Sequence, residues 1–122
     1  ESPLADSNEF LDEELRGIEE KQGVPASYMK FAGNIYTKLK LHFSFDEIDA
    51  GKFIKNVEIP VLITNADEDT VTPPHMGESL YKAISHNNKE IFTAKGYKHA
   101  DFPRKESDEY KKIVANFLNE YQ

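Results

Sequence analysis

An aspartate and a histidine thirty residues apart are the side chains of this sequence best suited to acid–base chemistry. Asp69 lies in the polar stretch 65–72, which follows the β-branched apolar run Glu58-Ile59-Pro60-Val61-Leu62-Ile63-Thr64. His99 lies in Ala94-Lys95-Gly96-Tyr97-Lys98-His99-Ala100-Asp101, which follows a second short run, Glu90-Ile91-Phe92-Thr93. A carboxylate that accepts the Nδ1–H of an imidazole fixes its tautomer and stabilises the imidazolium formed when Nε2 takes a proton. Such a pair becomes a hydrolytic triad only with a nucleophile. No G-x-S-x-G elbow occurs; Gly77-Glu78-Ser79-Leu80-Tyr81 comes nearest, but it lacks the second glycine and falls inside a predicted helix.

The elements that would position this pair are legible in the spacing. Glu58–Thr64 and Glu90–Thr93 read as short buried strands. Between them, Thr72 is expected to cap a helix with Pro73 and Pro74 in its first turn and Met76, Leu80, Tyr81 and Ile84 on its apolar face. Residues 94–105 read as a loop. Tyr110, Ile113, Val114, Phe117, Leu118 and Tyr121 then recur at helical spacing. This β–α–β–α order implies two parallel strands joined by a crossover, whose carboxyl-end loops are 65–72 and 94–105.

Upstream, Asp6 and Glu9 suggest a capping box for a helix over 7–21 marked by Phe10, Leu11, Leu15 and Ile18. A second helix from Pro25 carries Tyr28, Met29, Phe31, Ala32, Ile35, Tyr36 and Leu39. Core packing is the default for that face, and a lid or acyl-binding surface is the alternative. Residues 43–56 read as a loop with one turn. The expected organisation is a helical, lid-like segment over 1–52 and a β-α-β-α part over 53–122, an α/β fold of two short parallel strands with about four helices.

The stretch Ile59-Pro60-Val61-Leu62-Ile63-Thr64, with Asp69-Thr70-Val71-Thr72-Pro73-Pro74 and Glu78-Ser79-Leu80-Tyr81, resembles the segment around the triad acid of serine α/β-hydrolases. Lys95-Gly96-Tyr97-Lys98-His99 and the closing helix resemble the segment around their triad histidine. The likeness is to bacterial-type esterase-like members and covers residues 53–122; Glu1-Ser2-Pro3-Leu4 weakly resembles the turn after their sixth strand. It implies that the chain is the C-terminal portion of such a fold, with Asp69 as acid and His99 as base, in that family's chain order. It also implies a carboxylic ester, or an amide, as the small-molecule substrate in the parent enzyme. The nucleophile and oxyanion hole would lie upstream of Glu1. Asn65-Ala66 stands where the family usually has glycine, so Glu68 and Asp67 stay open as alternative acids. The spacing from Asp69 to Pro73 fits best.

The totals narrow the other classes. In 122 residues with a formal net charge of −7, no basic patch suits nucleic acid. There is no cysteine, which fits a cytoplasmic setting, and no apolar run near the roughly 18 residues of a membrane span. No initiator methionine opens the chain, which suggests a processed or excised segment. No metal-ligand spacing is evident and no cofactor is implied; His42, His75 and His86 have no partner pattern. Two alternatives remain. Asp67-x-Asp69-x-Val71 also matches the signature of Mg²⁺-dependent haloacid-dehalogenase-type phosphatases, with Asp101 and Asp108 as unplaced metal ligands. The chain could instead be a degenerate, non-catalytic binding module. Finally, the strand over 59–64 is expected to lack one neighbour. Its apolar edge should pair with a second copy, giving a homo-oligomer, or be covered by a helix from 7–41.

Overall fold

The structure is a computed structural model that describes residue 3, residues 5–42 and residues 50–121. It divides into two compact units, one of residues 6–50 and one of residues 51–122 with the first five.

The first unit is a helical hairpin. Helix α1 (Ser7–Gln22) starts where Asp6 Oδ1 accepts the N–H groups of Asn8 at 2.8 Å and Glu9 at 3.1 Å. It stops at Gly23, whose φ of 72° suits glycine and whose N–H donates to Glu19 O. Helix α2 (Ala26–Lys40) follows. The face expected to pack in a core is instead exposed: Tyr28, Phe31, Ile35, Tyr36 and Leu39 all face outward. Ala26, Met29, Lys30, Gly33, Asn34 and Thr37 are the half-covered positions, and Lys30 Nζ pairs with Asp12 Oδ1 at 2.7 Å. Helical periodicity reveals that an apolar face exists, but not which face a neighbouring helix will take.

A short helix α3 (Ala50–Phe53) starts at the last residue of the first unit, and a 3₁₀ turn (Ile54–Asn56) follows, the turn expected within 43–56; residues 43–49 of that stretch lie outside the described residues. Strand β1 (Val61–Ala66), helix α4 (Pro74–Ala83) and strand β2 (Lys89–Ala94) follow. The strands pair in parallel, with Val61 opposite Lys89 and Ala66 opposite Ala94. Pro60 has no N–H for a ladder, so β1 starts after it rather than at Glu58. Asn65 and Ala66, expected in the loop, are strand residues paired with Thr93 and Ala94.

Helix α4 packs on both strands and buries Met76, Leu80 and Ile84, one i, i+4, i+8 row. Its far end is tied down by Lys89, whose Nζ donates to Tyr81 O at 2.9 Å and Ile84 O at 2.7 Å. Those are carbonyls that the helix leaves without internal partners, and a cation there also suits the helix dipole. Residues 94–105 are not all loop. Helix α5 (Asp101–Lys105) precedes α6 (Ser107–Glu120), whose Phe117 is buried. The described residues therefore form six α-helices rather than about four.

Side-chain exposure falls along the stretch 59–64. Ile59 is exposed, whereas Ile63, Thr64, Asn65 and Ala66 are all buried within one chain. Among the described residues β1 has β2 as its one strand neighbour, so its other backbone edge pairs with no strand.

Candidate active site

The two carboxyl-end loops are stitched together before any catalytic group is considered. Asp67 N–H donates to Ala94 O at 3.0 Å, carrying the ladder one step beyond β1. Glu68 N–H then donates to Tyr97 O at 3.1 Å, and Gly96 N–H donates to Asp67 Oδ1 at 2.7 Å. Gly96 has a φ of 78°, a turn conformation that favours glycine. Asp67 and Glu68, the alternative acids, thus serve the loop-to-loop junction: the Asp67 side chain is taken by a backbone N–H.

Asp69 is what that junction presents. One carboxylate oxygen, Oδ1, accepts the N–H groups of Val71 at 2.9 Å and Thr72 at 2.8 Å. The other, Oδ2, accepts the Thr72 hydroxyl at 3.0 Å and lies 2.9 Å from His99 Nδ1. The Asp69 side chain is 1% exposed, whereas that of His99 is 41% exposed. A buried carboxylate ringed by donors is stable as an anion. An ionised Asp69 accepts only, so Nδ1 must carry a proton. Nε2 is then the unprotonated nitrogen, and it has no hydrogen-bond partner among the described residues. A partly exposed imidazole with Nδ1–H on a buried anion and Nε2 free has the geometry a general base requires.

Packing behind His99 holds its loop. Phe102 is buried among rings, with its centroid 5.4 Å from Phe92, 5.2 Å from Tyr97 and 6.3 Å from Tyr110. These contacts join β2, the loop, α5 and α6. Tyr97 Oη donates to Glu106 Oε1 at 3.0 Å, and that bond is the first cause raising the phenol above its ordinary pKa. Ala100 takes a left-handed turn (φ 56°) directly after His99 and opens α5. Asp101 hydrogen-bonds Lys105 and Arg104. The Lys105 bond is the largest cause holding its carboxyl below the usual range. Asp101 is therefore engaged within its own helix.

Thr72 is the residue that sequence reasoning misplaced. Expected as the cap of α4, it makes no such bond; Pro73 is the cap position and Pro74 begins the helix. Its hydroxyl turns back to Asp69. The signal available was the Asp-x-x-Thr spacing in a loop, where short polar side chains bond local groups. Ser79 is no elbow nucleophile, since it sits within α4 and its Oγ donates to His75 O at 2.9 Å. His75 is exposed in the first turn of α4, and both ring nitrogens of His86 are buried without a hydrogen-bond partner. Among the described residues no three His, Asp or Glu side chains cluster as a metal site, and no helix is long and apolar enough to cross a membrane.

The acid loop also depends on a close approach behind it. Asn65 is buried against Gly77, where a Cβ would fall 2.2 Å from Asn65 Oδ1 and 2.7 Å from Cγ. Gly77→Ala is expected to destabilise the fold by about 1–3 kcal/mol through overpacking. In an Asn65→Ala background the same change should become neutral or stabilising, by up to about 1 kcal/mol, because alanine is the better helix former. Urea unfolding of the four proteins measures this; a tolerated Gly77→Ala in the native background contradicts it.

No family model, curated protein or solved structure matches the chain.

Proposed function

We propose that Asp69 and His99 are the acid and general base of a Ser-His-Asp triad, in the C-terminal part of an α/β-hydrolase that cleaves carboxylic esters. The observation that carries this reading is the 2.9 Å approach of a buried Asp69 Oδ2 to Nδ1 of a half-exposed His99. In the proposed reaction His99 Nε2 removes the proton of a serine Oγ as that oxygen attacks the ester carbonyl. The imidazolium then returns the proton to the departing alcohol, leaving an acyl-enzyme. Water activated by the same Nε2 releases the acid. Asp69 holds the ring and stabilises the imidazolium without taking the proton. The serine and oxyanion hole are assigned to a segment outside this chain, and a cytoplasmic setting completes the reading. Amides share this chemistry and form the wider substrate class.

The geometry also favours this reading over a phosphatase built on Asp67 and Asp69. That mechanism needs the Asp67 carboxylate free to attack phosphorus and the Asp69 carboxylate free to handle the proton, yet Asp67 Oδ1 accepts Gly96 N–H and Asp69 is occupied by Val71, Thr72 and His99. The test uses p-nitrophenyl esters and the full gene product. It is expected to turn them over and to be labelled by a fluorophosphonate, and His99→Ala should lower kcat/KM by about 10³-fold or more. The 122-residue chain by itself is expected to show no His99-dependent turnover. Robust His99-dependent turnover by the chain alone, or a full product indifferent to His99→Ala, overturns the proposal.

A further inference from the structure

Three polar atoms meet in a triangle at the base of His99. Thr72 Oγ1 lies 3.0 Å from Asp69 Oδ2, His99 Nδ1 lies 2.9 Å from the same Oδ2, and Oγ1 lies 3.3 Å from Nδ1. The protons can be assigned from chemistry. An ionised carboxylate only accepts, and a hydroxyl has one proton, so the Thr72 proton goes to Oδ2. What Oγ1 turns toward Nδ1 is then a lone pair. Nδ1 therefore faces two acceptors, and both favour its protonated form.

We propose that Thr72 is a positioning residue that sets how much of the Asp69 charge reaches His99. Oδ1 is already committed to the Val71 and Thr72 N–H groups, so Oδ2 alone serves the imidazole. A charge-assisted bond from the Thr72 hydroxyl to that same oxygen withdraws part of its negative charge. The Nδ1–H···Oδ2 bond is tempered accordingly. Other charges nearby do not substitute for this. Asp67 is held by Gly96 N–H and Asp101 by Lys105 and Arg104, while Lys98 and Glu68 are exposed. Thr72 is itself buried. This role bears on catalysis only if His99 is the triad base, the reading on which it rests.

The Nδ1 proton of His99 reports the effect directly and needs no substrate. In ¹⁵N-labelled chain it is expected to give a resolved downfield proton signal bonded to Nδ1, in the Nδ1–H tautomer. Thr72→Val keeps the shape and removes the hydroxyl, so the Nδ1 proton should move further downfield as Oδ2 concentrates on it. Thr72→Ser should restore the native position. An unchanged signal in Thr72→Val refutes the proposal. So does an upfield, exchange-broadened one, which is what a merely structural threonine would give on loosening the loop. If Thr72→Val fails to fold, Thr72→Ala is read by the same signal and the same signs. Failure of the hydrolase reading would appear in ester turnover and leave this proton shift untouched.

Discussion

Asp69→Asn in the full gene product is expected to lower kcat/KM for p-nitrophenyl esters by about 10⁴-fold. The reason lies in the donor count around the side chain. An amide keeps one acceptor oxygen, which belongs with the Val71 and Thr72 N–H groups at the Oδ1 position. Its NH₂ group then faces Thr72 Oγ1 and His99 Nδ1. Two donors cannot oppose each other, so the imidazole shifts to the Nε2–H tautomer. The proton now sits on the nitrogen that must accept one. Asp67→Asn is the control: it disturbs the bond to Gly96 N–H but not the imidazole, and should cost less than about tenfold, roughly 1.4 kcal/mol. Equal losses in the two variants would mean that the acid has been assigned to the wrong carboxylate.

Met76→Ala should destabilise the fold by about 2–5 kcal/mol, read as a lower urea midpoint at unchanged slope. Met76 is only 1% exposed and lies in the first turns of α4, the helix that packs on both strands. Truncating it leaves a void where Leu80 and Ile84, on the same row, cannot both move in. Leu118 on α6 is exposed, and its truncation should fall within about 0.5 kcal/mol. A Met76→Ala protein as stable as Leu118→Ala would show that α4 is not clamped as described. Because α4 begins two residues after Thr72, a loosened helix would also be expected to degrade the Asp69 geometry.

What could be read from the sequence was governed by locality. Period and punctuation located both strands, α1, α2, α4 and α6, and the distance between Asp69 and His99 followed from the parallel order of the elements. Three features escaped. The α5 helix is five residues long and starts at a left-handed alanine, too short to show periodicity and without a side-chain cap. Thr72 looked like a cap because threonine often is one; its actual partner depends on Pro73 taking that position. The outward face of α2 was misjudged because burial is decided by a neighbour's surface and not by the helix itself. Among Asp67, Glu68 and Asp69, the spacing to Pro73 already favoured Asp69. The backbone bonds that engage Asp67 and Glu68 were not legible, because they form only once Gly96 and Tyr97 lie opposite.

The parallel register has a kinetic consequence. Every pair in the sheet joins residues 28 apart, from Val61 and Lys89 to Ala66 and Ala94, so no rung is more local than any other. The first rung must close the whole crossover, at an entropic cost of about 3 kcal/mol that grows only slowly with length. Later rungs close no new loop and should add rapidly. Asp69 and His99, just beyond the last rung, cannot approach each other until the crossover has closed. Folding of this unit should therefore be paced by crossover closure, and the Asp69–His99 pair should appear together with the sheet and not in a separate later phase.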